Sequence, residues 1–405
     1  SEFDKAIKIN PMYAQAYAIR GSVYKEKNNL DQAILDINKA IDINPEYANA
    51  YFLRGFIYFL KNNYDQAISD LNKAVEFNPK YAEAYGLRAA TYSKKGNYDQ
   101  VISDSNKVID INPKYAEAYI LMADSYSKKG SYDQAISECN HAIEINPKYA
   151  EAYGLRADCY SKKENYDQAV SDYTKAIEIN PRLAVAYYKR GVAYDSKGSY
   201  TVAVYDYNRA IEINPKYAEA YYYRGKNYSK KENYDQAIFD FSKAISINSN
   251  NALFYYNRGL AYLFKNKDFE QAISDFTKAI TINPRDILAY CERGSAYVMK
   301  NKYDEALSDF NKAIEINHNY VQAYVGRGGV YGAKGVFDQA ISDFNKAISI
   351  NPDCVDSYVG RSLAYYSKHE YDKAWDDIHK AESLGYKSFL PAFLEALKKT
   401  SGREK

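Results

Sequence analysis

The chain has 405 residues, of which 46% are hydrophobic and 26% are charged, as is typical of globular proteins. Its 54 Lys and Arg nearly balance its 52 Asp and Glu, so the net charge is +2. This balance argues against nucleic-acid binding driven by phosphate neutralisation and against a polybasic membrane anchor. No uncharged apolar run approaches the roughly 18 residues of a membrane-spanning helix. We therefore expect neither a nucleic-acid partner nor a membrane partner.

A period of 34 residues organises the sequence. Prolines recur at this interval, at positions 11, 45, 79, 113, 147, 181 and 215. Ser249 and His318 stand where two further prolines are expected, and Pro284 arrives one residue late because one residue is inserted between Lys265 and Asp268. Such a period indicates stacked repeats rather than a globular domain with a single core.

Three segments follow from this period. Residues 1–11 match the last third of a repeat, so we expect only its second helix there and a chain that begins inside a repeat. Residues 12–385 hold eleven tandem repeats. Residues 386–405 are predicted to form a capping helix and tail, because stacked repeats need a cap with a polar outer face. Its helix, at 388–399, places Phe389, Phe393, Leu394 and Leu397 on one face, and a membrane-surface helix is the alternative.

Each repeat is predicted to contain two helices. In residues 218–248 the apolar and small residues follow two stripes at helical spacing, separated by a break at residues 231–233. Asn233 is the predicted N-cap of the second helix. Asn-Pro, as at Asn214–Pro215, is predicted to end it, because Pro removes a donor and restricts the preceding residue. Glycine or asparagine in the inner turn, such as Gly96 and Asn28, indicates a left-handed conformation.

These features resemble the tetratricopeptide repeat family, in which 34-residue helix–turn–helix units carry aromatic, small, Ala and Pro residues at set spacings. The resemblance implies an all-α fold, a right-handed α-solenoid superhelix whose first helices line a concave face. It also implies a non-catalytic scaffold that binds an extended peptide or helix of a partner protein. Two other functions stay open: the recognition arm of a larger enzyme, such as a glycosyltransferase, and a self-assembling structural solenoid that stacks through its N-terminal end.

An Arg recurs on the first helix where the family often has Leu, and an Asp recurs on the second helix of the same repeats. We predict that they form one partly buried ion pair per repeat, the alternative being two solvated faces. The predicted pairs are Arg20–Asp36, Arg54–Asp70, Arg88–Asp104, Arg156–Asp172, Arg190–Asp206, Arg224–Asp240, Arg258–Asp275, Arg293–Asp309, Arg327–Asp343 and Arg361–Asp377. Repeat four has Met122 and Glu138 instead.

Catalytic and metal-binding patterns are not found in the sequence. Its four His are dispersed, and no HExxH, EF-hand or CxxC motif occurs, so we expect no metal, no cofactor and no enzyme activity. The four Cys are expected to be free core thiols, with a Cys139–Cys159 disulfide as the alternative. Residues 325–335 superficially resemble a phosphate loop, but the period places them on a first helix, where they indicate a weakened helix, a hinge or a site of close ligand approach.

Aromatic residues outside the core stripes indicate candidate binding surfaces, because Tyr is enriched at interaction hot spots. We predict a peptide groove formed by Tyr188, Lys189, Tyr222, Tyr223, Lys226, Tyr256, Asn257 and Leu260. A second apolar patch comprises Phe52, Phe56, Phe59 and Leu60. Ridge packing between adjacent first helices is the structural alternative. The carboxylate clamp of some family members is not predicted, because its Lys, Asn and Arg positions hold other residues, Tyr188 and Val192 among them.

Overall fold

The computed structural model describes residues 2–386 and 391–402. Throughout this part of the chain the regular structure is helical, in 24 helices, with no strand. The chain divides into two compact units, an N-terminal unit of residues 1–213 and a C-terminal unit of residues 214–405. The all-α repeat architecture predicted from the period is confirmed.

Each unit is built of helical hairpins. In the N-terminal unit, α1 (Glu2–Ile9) precedes six hairpins: α2 (Ala14–Glu26) with α3 (Leu30–Ile43), α4 (Ala48–Leu60) with α5 (Tyr64–Phe77), α6 (Ala82–Lys94) with α7 (Tyr98–Ile111), α8 (Ala116–Lys128) with α9 (Tyr132–Ile145), α10 (Ala150–Lys162) with α11 (Tyr166–Ile179), and α12 (Ala184–Ser196) with α13 (Tyr200–Ile213).

The C-terminal unit continues with five hairpins: α14 (Ala218–Lys230) with α15 (Tyr234–Ile247), α16 (Ala252–Asn266) with α17 (Phe269–Ile282), α18 (Ile287–Met299) with α19 (Tyr303–Ile316), α20 (Val321–Ala333) with α21 (Phe337–Ile350), and α22 (Val355–Ser367) with α23 (Tyr371–Ser383). Helix α24 (Pro391–Ser401) packs on α23. The even-numbered helices from α2 to α22 are the first helices of their repeats.

The inner turns have the predicted left-handed residue. Gly96 and Asn28 have φ values of 75° and 59°. Asn233 caps α15 by accepting a hydrogen bond from the Gln236 backbone N–H at 3.4 Å. The inserted residue lengthens α16 to 15 residues, and its turn then places Lys267 in the left-handed region. The insertion is thus absorbed in one turn and leaves the following hairpin in register.

The outer turns depend on Asn more than on Pro. Asn44 and Asn248 both end their helices in extended conformation, although Pro follows the first and Ser249 follows the second. In both turns the Asn side chain accepts a hydrogen bond from the backbone N–H two residues later, at 3.1 Å. Proline is the residue predicted to end these helices. The helix ends at the Asn with or without Pro, because the Asn side chain accepts a hydrogen bond from a turn N–H in both cases.

A glycine on most first helices lies against a large residue on the second helix of the same repeat. A Cβ added to Gly191 would lie 2.7 Å from the ring of Tyr207, and one added to Gly21 would lie 2.8 Å from Ile37. Where the second helix carries a small residue, as at Ser105, the first helix has an alanine, Ala89. Repeat five is an exception, because it packs Ala157 against the large, buried Tyr173.

All ten predicted Arg–Asp pairs form. In each, the Arg Nε and Nη2 donate to the two carboxylate oxygens, at 2.8 and 2.6 Å in Arg88–Asp104. All ten aspartates are buried, which excludes the alternative of two solvated faces. The Arg Nη1 adds a contact that the sequence did not predict: in Arg88 it donates to Asn72 of the preceding repeat at 2.8 Å. One guanidinium thus joins three helices and two repeats.

Repeat four replaces this arrangement. Met122 is buried in the place of Arg, and Glu138 contacts His141 at 3.3 Å. Glu138 stands at the place of the paired Asp, and its longer side chain is 16% exposed.

The C-terminal segment has the predicted amphipathic character. Leu397 of α24 is buried, and the ring of Phe393 packs edge-on against Tyr366 at 5.3 Å. Phe389 lies outside the described residues. The helix covers the apolar side of the last hairpin.

Candidate peptide-binding surfaces

Within each unit, successive first helices lie against one another. We call the exposed side of these helices the first-helix face. Its residues stand just before and just after the paired Arg, because the Arg itself points toward the second helices. The predicted peptide groove and the predicted apolar patch both fall on this face, on α12 in the N-terminal unit, on α14 and α16 in the C-terminal unit, and on α4.

In the N-terminal unit, Tyr188 and Lys189 line an open groove of about 470 Å³ between α10 and α12. Asp158 also lines this groove. Its carboxylate accepts a hydrogen bond from the Tyr173 hydroxyl at 2.6 Å and forms an ion pair with the Lys189 Nζ at 2.5 Å. Burial and the Asp158 charge both raise the pKa of Tyr173, so the tyrosine remains a neutral donor.

A second, apolar hollow of about 220 Å³ shares Asp158, Tyr173 and Lys189 with this groove. Leu155, Leu183 and Val185 line it, and Gly154 leaves it open, because a Cβ there would meet nothing within 4 Å. At the matching place in the next repeat, α12 carries Tyr188. The absence of a side chain at Gly154 therefore creates a cavity between neighbouring first helices.

In the C-terminal unit, Tyr222 differs from its predicted role. It is only 8% exposed, its ring packs against Phe254 at 5.1 Å, and its hydroxyl accepts a hydrogen bond from Asn257 at 3.3 Å. Burial raises its pKa to about 12. The expectation that this position lies outside the core is wrong for Tyr222, because ridge packing between α14 and α16 covers its ring.

The other predicted residues of this unit are half-buried. Lys226 lies over the ring of Tyr223, with its Nζ 5.4 Å from the ring centre. Tyr256 packs against Phe276 at 5.8 Å, and burial raises its pKa. The Asn257 amide also donates to the Leu253 carbonyl at 2.8 Å, which fixes its orientation. Leu260 is half-buried on the same helix.

The apolar patch on α4 is partly covered. Phe52 packs on Tyr81 at 5.0 Å, and the Lys25 Nζ lies 4.8 Å from the ring centre of Phe56. Phe59 contacts Tyr64, and only Leu60 is largely exposed, at 48%. Three of the four residues therefore serve contacts between neighbouring helices.

The glycine-rich segment of residues 325–335 forms the last turns of α20, which ends at Ala333, and the following turn with left-handed Gly335, so it is not a phosphate loop. Gly329 and Gly332 border a groove of about 270 Å³ against Leu363 and Phe344. The close packing of α21 and α22 accounts for Gly360, whose Cβ would clash with the ring of Phe344.

Among the described residues, no three or more His, Cys, Asp or Glu are grouped so that they could hold a metal ion. All four cysteines are free, with Cys139, Cys159 and Cys291 buried and Cys354 half-buried. Burial raises the pKa of the Cys159 thiol, which disfavours the reactive thiolate. Among the described helices, none has the length and apolar character needed to cross a membrane.

Sequence reasoning missed Asp158 as a site residue. The signal was present in the period: Asp158 follows the paired Arg of repeat five by two residues, and Lys189 precedes that of repeat six by one. These two places meet across adjacent first helices.

Comparison with known proteins agrees with this architecture. Sequence models described as tetratricopeptide repeat match residues 48–81, 150–183, 218–251, 252–286 and 287–320, and further models of the same repeat match residues 71–102, 92–159 and 321–354. A model described as TPR repeat matches residues 21–61 and 193–232. Together these segments cover residues 21–183 and 193–354. No curated protein matches the chain.

Solved structures of the same kind are similar. The C-terminal part of a TPR repeat-containing protein from Cytophaga hutchinsonii is 21% identical, with 59% of this chain and 97% of that chain covered and a TM-score of 0.50. YrrB, described as a TPR protein with an unusual peptide-binding site, is 28% identical over 48% of this chain and 97% of its own, with a TM-score of 0.42. Repeats of this kind are typically non-catalytic protein-interaction scaffolds. The chain belongs to the tetratricopeptide repeat family.

Proposed function

We propose that this scaffold binds an extended segment or helix of a partner protein on its first-helix face. The observation that carries the proposal is the open groove between α10 and α12, which Tyr188 and Lys189 line. It combines aromatic surface with hydroxyl groups, a lysine and a carboxylate, the mixture expected of a site that orients a peptide.

The C-terminal unit offers a second stretch of the same kind. Tyr223, Lys226 and Asn257 are half-buried on α14 and α16, and Leu253 on the same face is 53% exposed. The ring of Tyr223 positions the Lys226 ammonium group, which can then bind acidic or carbonyl groups of a partner. Tyr222 supports these residues from below rather than contacting the ligand.

A peptide-display selection on the intact chain tests the proposal. Selected peptides are then measured against Tyr188→Ala and Lys226→Glu on the first-helix face. Lys107→Ala serves as the control, because it lies exposed on the second helix α7. We expect first-helix variants to weaken binding and the control to leave it unchanged. Peptides whose affinity responds only to second-helix changes would refute the proposal.

A further inference from the structure

The N-terminal unit carries a row of glutamates on its first-helix face. Glu83, Glu117 and Glu151 occupy the same place in α6, α8 and α10, and all three are exposed. Within the described residues, none of them has a salt bridge or a side-chain hydrogen bond. Other carboxylates of this face are neutralised: Asp124 pairs with Lys128 at 2.9 Å and Asp158 pairs with Lys189.

Tyrosines stand between these glutamates. The pKa of Tyr149 is raised by burial and then by the charges of Glu117 and Glu151, and that of Tyr115 by burial and then by Glu117 and Glu83. Each tyrosine therefore senses two successive glutamates. The row of glutamates therefore runs across three adjacent first helices.

The apolar hollow at Gly154 adjoins the end of this row, because Glu151 is one of its lining residues. Its free charge is that of Glu151, since Asp158 is already paired. An apolar floor with an unpaired carboxylate at its rim suits a Lys or Arg side chain, whose alkyl stem packs while its charged end stays at the edge.

We propose that the N-terminal unit binds an extended, basic protein segment along Glu83, Glu117 and Glu151, with one Lys or Arg stem in the hollow at Gly154. This inference rests on the proposed function and adds the chemical class of the partner. Packed helices lie about 8–10 Å apart, and an extended chain in the polyproline II conformation rises about 3.1 Å per residue with three residues per turn, so a basic side chain at every third position stays on one face and matches the row.

The test uses fluorescence anisotropy with the intact chain and three labelled peptides of equal length. One has Lys at every third position among apolar and small residues, one has the same composition with its Lys contiguous, and one has Glu in place of Lys. We expect the spaced basic peptide to bind most tightly, with affinity that falls as salt rises, and the acidic peptide to fail.

Two matched variants locate the contact. Glu117→Gln with Glu151→Gln removes two charges from the row, and Asp42→Asn with Glu144→Gln removes two exposed charges from the second helices α3 and α9. We expect the first pair to weaken binding of the spaced basic peptide about tenfold or more and the second pair to change it less than about twofold. Gly154→Leu, which fills the hollow, should also weaken it.

Equal weakening by both pairs, or equal binding of the acidic peptide, would overturn the inference. The display selection separates this failure from that of the proposed function. If selected peptides bind the first-helix face but lack basic residues and ignore the Glu117 and Glu151 changes, only the partner class is wrong. If no peptide responds to any first-helix change, both proposals fail.

Discussion

Replacing Arg88 with Met tests whether the Arg–Asp pairs hold the repeats together. Asp104 is only 4% exposed and has both oxygens bound by the Arg88 guanidinium. Removal of the guanidinium leaves a buried, unpaired carboxylate, which costs about 3–5 kcal/mol. It also removes the bond to Asn72, and with it a link between repeats two and three. We expect Arg88→Met to destabilise these two repeats by about 3–5 kcal/mol.

The assay must report local as well as global stability, because a long repeat array need not unfold in one step. Urea denaturation followed by circular dichroism gives the overall loss. Hydrogen exchange followed by mass spectrometry should show the largest loss of protection in α5, α6 and α7, with distant hairpins little changed. Asp104→Asn in the Arg88→Met background should regain much of the loss, since no unpaired charge then remains.

Repeat four shows that the scaffold tolerates Met at this place when the acid is Glu138, whose longer side chain is 16% exposed and contacts His141. The size of the loss decides whether the Arg88–Asp104 pair joins the repeats. A loss below about 1 kcal/mol for Arg88→Met would mean that the pair behaves like a solvated surface pair and that packing alone joins the repeats.

Three further predictions follow from the described contacts. Gly191→Ala should destabilise the protein by about 1–3 kcal/mol in thermal melts, because its Cβ would meet Tyr207, whereas Gly154→Ala should be neutral or stabilising by up to about 1 kcal/mol. Ser249→Pro should raise stability by about 0.4–1 kcal/mol in urea titrations, since the extended Asn248 already suits a following proline, and a loss would show that the turn differs. The pKa of Tyr222 in the folded protein is raised to about 12, whereas in the unfolded chain this tyrosine ionises near about pH 10. The stability that Tyr222 contributes is therefore complete below about pH 10 and is lost as the pH rises toward 12. Tyr222→Phe should therefore lessen alkaline unfolding followed by ultraviolet absorbance, and an unchanged profile would contradict the burial of its hydroxyl.

Much of the fold could be predicted from the sequence because the same pattern of core, turn and paired residues recurs in eleven repeats. The Arg–Asp pairs were predictable in this way, since both partners recur in the same ten repeats and both are absent from repeat four. The contact from Arg88 to Asn72 was not, because the acceptor varies: Arg190 uses the hydroxyl of Thr174 and Arg258 that of Ser242. A varying acceptor leaves no periodic signal.

The candidate site was harder to predict because it depends on which aromatic rings the neighbouring helices cover. Tyr188 and Tyr222 occupy the same place in successive repeats, yet Tyr188 borders an open groove and Tyr222 is buried. Phe254 of the following first helix makes the difference at Tyr222, and a single repeat considered alone does not reveal it. The hollow at Gly154 was missed for the converse reason, since a missing side chain matters only when its neighbours leave the space unfilled.

The division of labour within a repeat explains how one scaffold can carry a specific surface. Gly191 packs closely against Tyr207, and the Arg190–Asp206 pair joins the two helices of the hairpin. The residues at these four positions are therefore constrained by contacts within the repeat. The places beside the paired Arg on the first-helix face differ from repeat to repeat, from Gly154 through Tyr188 to the buried Tyr222. Surface chemistry can therefore change from repeat to repeat, acidic along α6 to α10 and rich in tyrosine on α14 and α16, without altering the contacts that hold the hairpins together.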